Sequence, residues 1–176
     1  LLDMRGGTFS VGSLAGSGTI TNDTTFNATN VAGTLTFGLD NTSSTFSGVV
    51  TNTVNTLPGT VTGMPLNLVK VGTGTTTLSG SSSFNRLSAG VQGATSAFGA
   101  IVSSGTISSL NYLGVNSGTF QLVGGLLATN TARINDGTLN FAVVNQTGGD
   151  FVITGTNSTN TNAASFLFGH YSGRSE

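Results

Sequence analysis

Apolar side chains recur along this chain at every second position in short runs, and such a run is visible wherever a glycine is followed by a threonine. Gly33-Thr34-Leu35, Gly118-Thr119-Phe120 and Gly137-Thr138-Leu139 are three instances; Gly7-Thr8-Phe9, Gly18-Thr19-Ile20, Gly59-Thr60-Val61 and Gly105-Thr106-Ile107 carry the same grammar from end to end. Alternation over 34–39 puts Leu35, Phe37 and Leu39 on one face, and over 138–143 it does so for Leu139, Phe141 and Val143. Phe9 with Val11, Phe120 with Leu122, and Phe151 with Ile153 extend the set. A period of two belongs to a pleated strand, so these residues are predicted to face a core. Residues 87–102 come nearest to a helical composition. Gly90, Gly93 and Gly99 interrupt them, each costing about 1 kcal/mol in a helix interior, and strand with loop is predicted there too.

Short strands joined by glycine turns predict an all-β fold, and their repetition predicts a β-solenoid. Coils of about 20–25 residues would give roughly seven or eight rungs about 4.8 Å apart. The repeats are unevenly spaced, so irregular coils with loops are expected at 22–30, 40–44, 52–63, 79–85 and 154–164. The stretch 50–66 is expected to project. Residues 1–168 read as one domain and 169–176 as a tail carrying His170, Tyr171, Arg174 and Glu176. Neither end carries an obvious cap, and the first residue is Leu1. The expectation is a processed or excised piece whose ends continue into neighbouring repeats or stack on other copies.

Residues 44–50 (STFSGVV), 66–84 (LNLVKVGTGTTTLSGSSSF) and 87–100 (LSAGVQGATSAFGA) resemble the passenger-associated strand repeat of bacterial autotransporters. Phe46, Ser47, Gly48 and Val49 match its first segment. Leu68, Lys70, Gly72, Gly74, Thr75, Leu78, Ser79 and Gly80 match its second. Residues 5–20 (RGGTFSVGSLAGSGTI) are similar to a coil found between such repeats. The chain departs from the repeat at Thr76, which stands at an inward apolar position, and in the longer loop 51–65. The resemblance is strongest over 45–99. It implies a right-handed parallel β-helix, exported to the bacterial cell surface or beyond, serving as a stalk or surface element.

Composition narrows the functional classes. Only 6% of the 176 residues are charged and 36% are hydrophobic, which gives material for a core and a surface of Thr, Ser, Asn and Gly. A net charge of -1 offers no basic patch for nucleic acid. Cysteine is absent, removing disulfides and thiolate sites. No apolar run reaches the roughly 18 residues of a membrane helix.

Catalytic chemistry has little to draw on. His170 stands in the tail, and no strained Ser nucleophile turn accompanies it. Asp136, in Asn135-Asp136-Gly137, and Asp150, in Gly148-Gly149-Asp150, are the sharpest candidates for a β-helix glycosidase, which needs paired carboxylates. Both sit in turn sequences and are expected to bond their own backbone. A single Gly-Gly-Asp lacks the repeated oxygen ligands of a calcium site. Gly-rich stretches at 15–19 and 72–75 superficially suggest phosphate loops, but no helix is predicted to follow. Lys70, the only lysine, is expected outward and solvated, between inward Val69 or Val71 neighbours. Asn-x-Ser/Thr triplets begin at Asn22, Asn27, Asn41, Asn145 and Asn157 and would stay bare in a bacterial protein. Thr34-x-Thr36, Thr73-x-Thr75 and Thr154-x-Thr156 are too few for an ice-binding grid. The expectation is a non-enzymatic shaft or fibre element with no catalytic residue, cofactor or metal, partnered by further repeats or copies of itself. An adhesin for carbohydrate or protein is the alternative, and a polysaccharide-degrading enzyme the third.

Overall fold

The computed structural model describes residues 1–23, 31–52, 64–91, 94, 96–134, 142–154 and 166–168. The described elements are all strands: β1 (Leu2–Asp3), β2 (Thr8–Val11), β3 (Thr19–Asn22), β4 (Gly33–Phe37), β5 (Ser44–Phe46), β6 (Val49–Asn52) and β7 (Leu66–Lys70). They continue through β8 (Thr76–Leu78), β9 (Ser82–Ala89), β10 (Ala100–Ser103), β11 (Thr106–Val115), β12 (Thr119–Ile134), β13 (Val143–Ile153) and β14 (Phe166–Phe168). Every pairing between them is parallel.

These pairings fall into three ladders. The first runs through β1, β3, β6, the opening halves of β9 and β11, the middle of β12 and the end of β13. The second runs through β2, β4, β7, the closing halves of β9 and β11, the end of β12, and β14. The third joins β5, β8, β10 and the starts of β12 and β13, with Gly16 bridged to Phe46. The chain visits first, second and third ladder in that order, again and again. A parallel pair needs a crossover of a dozen residues or more, and the remainder of each pass supplies it. Paired residues lie from 18 apart, at Leu2 and Ile20, to 34 apart, at Ala132 and Phe166.

In-register stacking brings equivalent side chains over one another. Leu35, Leu68, Leu87, Leu113 and Ala132 form one column of the second ladder, and all are fully buried. Ile101 and Phe120 stack in the third ladder, and Ile107 and Leu127 in the first. Each leucine, isoleucine or phenylalanine among them contributes about 1.5–3 kcal/mol by leaving water. One column has a polar break. Ser103 lies between Leu78 and Leu122, and its buried hydroxyl finds no hydrogen-bond partner.

The expected core is observed at Leu35, Phe37, Phe120 and Leu122, while Val11, Phe151 and Ile153 are partly buried against it. Phe9 is a correction. It keeps the inward register opposite Leu35, yet is 47% exposed, because β2 pairs with β4 alone. Leu39 is also exposed: the alternation of β4 ends at Phe37, and Gly38, at φ +97°, turns the chain. Val143 is exposed as well, since it is Val144, in register with Phe120, that packs on the core. Leu139 and Phe141 lie outside the described residues. Residues 82–85, expected in a loop, open strand β9. The expected loops over 24–30, 53–63 and 155–164, and the tail 169–176, also lie outside.

Close stacking is permitted by glycines at one corner. A Cβ on Gly48 would lie 1.9 Å from the carbonyl oxygen of Gly18, one on Gly80 1.9 Å from that of Gly48, and one on Gly105 2.2 Å from that of Gly80. Gly125 and Gly149 continue the series. Neither a side chain nor a shift of the rigid backbone fits there. Gly80→Ala is therefore expected to destabilise the protein by about 1–3 kcal/mol or more. Gly18→Ala, whose Cβ would meet nothing within 4 Å, should stay within about 0.5 kcal/mol of the parent. Urea unfolding of both variants checks this; equal losses would remove the stacking argument.

Candidate functional site

Two of the described carboxylates, Asp3 and Asp40, serve turns; Asp150, expected to bond its own backbone in a turn, lies instead within strand β13. Asp3 accepts from the backbone N–H of Asp23 at 2.9 Å and pairs with Arg5 at 3.2 Å. Asp40 accepts from the N–H and hydroxyl of Thr42 at 3.0 and 2.9 Å, and the backbone bond from Thr42 is the main influence holding its carboxyl below the usual range. Asp150 is exposed on β13, opposite Leu126. Asp136 and His170 lie outside the described residues. Among the described residues no three His, Cys, Asp or Glu side chains gather where a metal ion could sit, and no helix is long and apolar enough to cross a membrane. Strands, not helices, follow the glycines at 15–19 and 72–75. Asn22 is fully buried: its amide donates to the carbonyls of Val31 and Pro65, and its oxygen accepts from Gly6 N–H.

Lys70 overturns its expected outward position. Leu66, Leu68 and Lys70 alternate on the inward face of β7, with Lys70 in register between Phe37 and Ala89. Its side chain is fully buried. The amine donates to the carbonyls of Val71 and Gly72, the latter at 3.2 Å, so its charge is spread over turn dipoles. Burial pushes the amine below the ordinary lysine value, with Asp40 opposing the shift.

The outward face of the second ladder gathers the polar residues with most chemical capacity. Thr34, Asn67, Arg86, Tyr112 and Thr131 occupy successive levels of one column. The amide of Asn111 donates to Asn85, that of Asn85 to Asn67 at 2.8 Å, and that of Asn67 to Thr34 at 3.4 Å, a ladder across four levels. Beside it the Arg86 guanidinium lies 4.4 Å from the centre of the Tyr112 ring, with Arg133 at 5.8 Å. Gly114 makes room for that ring, since a Cβ there would come within 2.5 Å of it. Arg86 Nε donates to the Ser88 hydroxyl at 3.1 Å. Against Thr34, Asn67, Arg86 and Ser88 runs a groove of about 260 Å³, lined also by Val69, Gly90, Val91 and Asn116.

None of this was singled out from the sequence, although a signal exists. Residues 84–90 read FNRLSAG and 110–116 read LNYLGVN; the shared Asn-x-Leu at an offset of 26 is the stacking register. Comparison with protein families, with curated proteins and with solved structures finds no match to this chain.

The burial of Lys70 makes two variants informative. Lys70→Ala should cost about 2–5 kcal/mol by opening a cavity, whereas Lys70→Met, which keeps the volume and removes the buried charge, should cost about 1 kcal/mol or less. Because the folded amine titrates below 10.5, the folded state releases its proton first. Wild type should therefore gain stability relative to Lys70→Met as pH rises through that lowered value to 10.5, and forfeit the gain on return. Chemical denaturation at several pH values checks both; a flat difference would show the amine to be solvated.

Proposed function

We propose that this chain is a segment of a right-handed parallel β-helix in an exported bacterial surface protein, and that it serves as a non-enzymatic shaft or fibre element. The observation that carries the reading is the unbroken order in which the chain visits the three parallel ladders, level upon level. Such an arrangement contacts only neighbouring levels and extends by adding more, which suits a rod. The resemblance of 44–100 to the autotransporter passenger repeat supports export and a surface location. Partners on this reading are adjacent repeats or further copies. The net charge of -1 speaks against nucleic acid. Hydrolysis is disfavoured by the use of Asp3 and Asp40 in turns. A second reading, adhesion to a ligand, is favoured by one observation, the groove beside Arg86.

Immunogold labelling of intact source cells with antibodies to this segment, together with electron microscopy of the purified protein, tests the shaft reading. Label on unpermeabilised cells and elongated particles are expected. Label that requires permeabilisation, or cleavage of a polysaccharide panel abolished by Asp150→Asn, would contradict it.

A further inference from the structure

Arg86 is held in place without being neutralised. Its Nε is committed to Ser88, a buried hydroxyl, and its face lies over Tyr112. No described carboxylate pairs with the guanidinium, so its terminal N–H donors remain for something else. A planar guanidinium fixed along one edge is arranged for the two-pronged recognition of a carboxylate. The loss of side-chain freedom that normally opposes such binding has already occurred on folding.

The groove says what kind of molecule would carry that carboxylate. Thr34, Asn67 and Ser88 place hydroxyl and amide groups around it, able both to donate and to accept. Asn116 closes the lining from below, its amide donating to the Gly90 carbonyl at 3.4 Å and its oxygen sealed from solvent. Val69 and Val91 supply the apolar surface. A sugar ring presents hydroxyls at its rim and C–H groups on its faces, and this mixture matches it. A protein partner would want an aromatic or large aliphatic anchor, and a phosphate several cations; the groove has one arginine in its lining and no aromatic side chain or leucine.

We propose that this groove binds an acidic saccharide, with the carboxylate of a uronate ring seated on Arg86 and its hydroxyls served by Asn67 and Ser88. The proposal goes beyond the shaft reading and does not depend on it: the surface labelling described above and the titration described here succeed or fail separately.

The test is calorimetric or NMR titration of the whole chain with trigalacturonate, with galactotriose as the neutral counterpart and poly-glutamate as a non-sugar carboxylate. Trigalacturonate should bind, with galactotriose and poly-glutamate on the order of tenfold weaker or more, as expected for loss of a charge-assisted bond or of the sugar contacts. Arg86→Ala should weaken trigalacturonate binding by about the same factor, and Arg86→Lys should fall between. Asn67→Asp, nearly isosteric, sets a carboxylate beside Arg86 and should abolish binding even if Arg86→Ala proves poorly folded. Absence of trigalacturonate binding, equal binding of galactotriose or poly-glutamate, or unchanged affinity in Asn67→Asp would each overturn the proposal.

Discussion

Everything in this structure depends on how closely one pass of the chain lies over the next. Parallel strands in register sit about 4.8 Å apart, and at one corner the spacing leaves no volume for a side chain. From Gly48 through Gly80, Gly105 and Gly125 to Gly149, the position a Cβ would take lies 1.9–2.6 Å from a carbonyl oxygen of the preceding level. Because each corner is fixed over the last, the strands leaving it start in register. Like side chains then meet like, as in the leucines at 35, 68, 87 and 113.

Parity within a strand is a local property, so it could be read from the sequence wherever the alternation was intact. Leu35, Phe37, Phe120 and Leu122 are inward for that reason. The reading failed where the alternation stopped or a neighbouring strand was missing. Gly38 ends the alternation and releases Leu39; the inward position at Phe9 has a neighbour on one side only. Lys70 is the instructive case. It is expected outward between inward Val69 or Val71 neighbours, whereas Leu66, Leu68 and Lys70 hold the inward parity, and the two turn carbonyls that receive the amine belong to a corner whose shape was not legible beforehand.

The polar face of the second ladder was illegible for a different reason. Arg86 and Tyr112 are 26 residues apart, and whether they touch is decided by the length of everything between them. Paired residues elsewhere are separated by anything from 18 to 34, so no fixed period could have been assumed. Once register is known, three sequence details become one device: Gly114 clears the space, Tyr112 fills it, and Arg86 lies on the ring with its edge on Ser88.

The central claim is that successive passes stack level by level in one register, and a distance within a single outward column tests it most directly. Thr45, Thr77, Val102, Gln121 and Asn145 form such a column in the third ladder, and the chain's lack of cysteine allows spin labels to be placed at its two ends alone. Four intervals of about 4.8 Å put labels at Thr45→Cys and Asn145→Cys roughly 19 Å apart, with a narrow distribution, by double electron–electron resonance. A separation beyond about 30 Å, or a broad distribution without a maximum near the stacked value, would contradict the account.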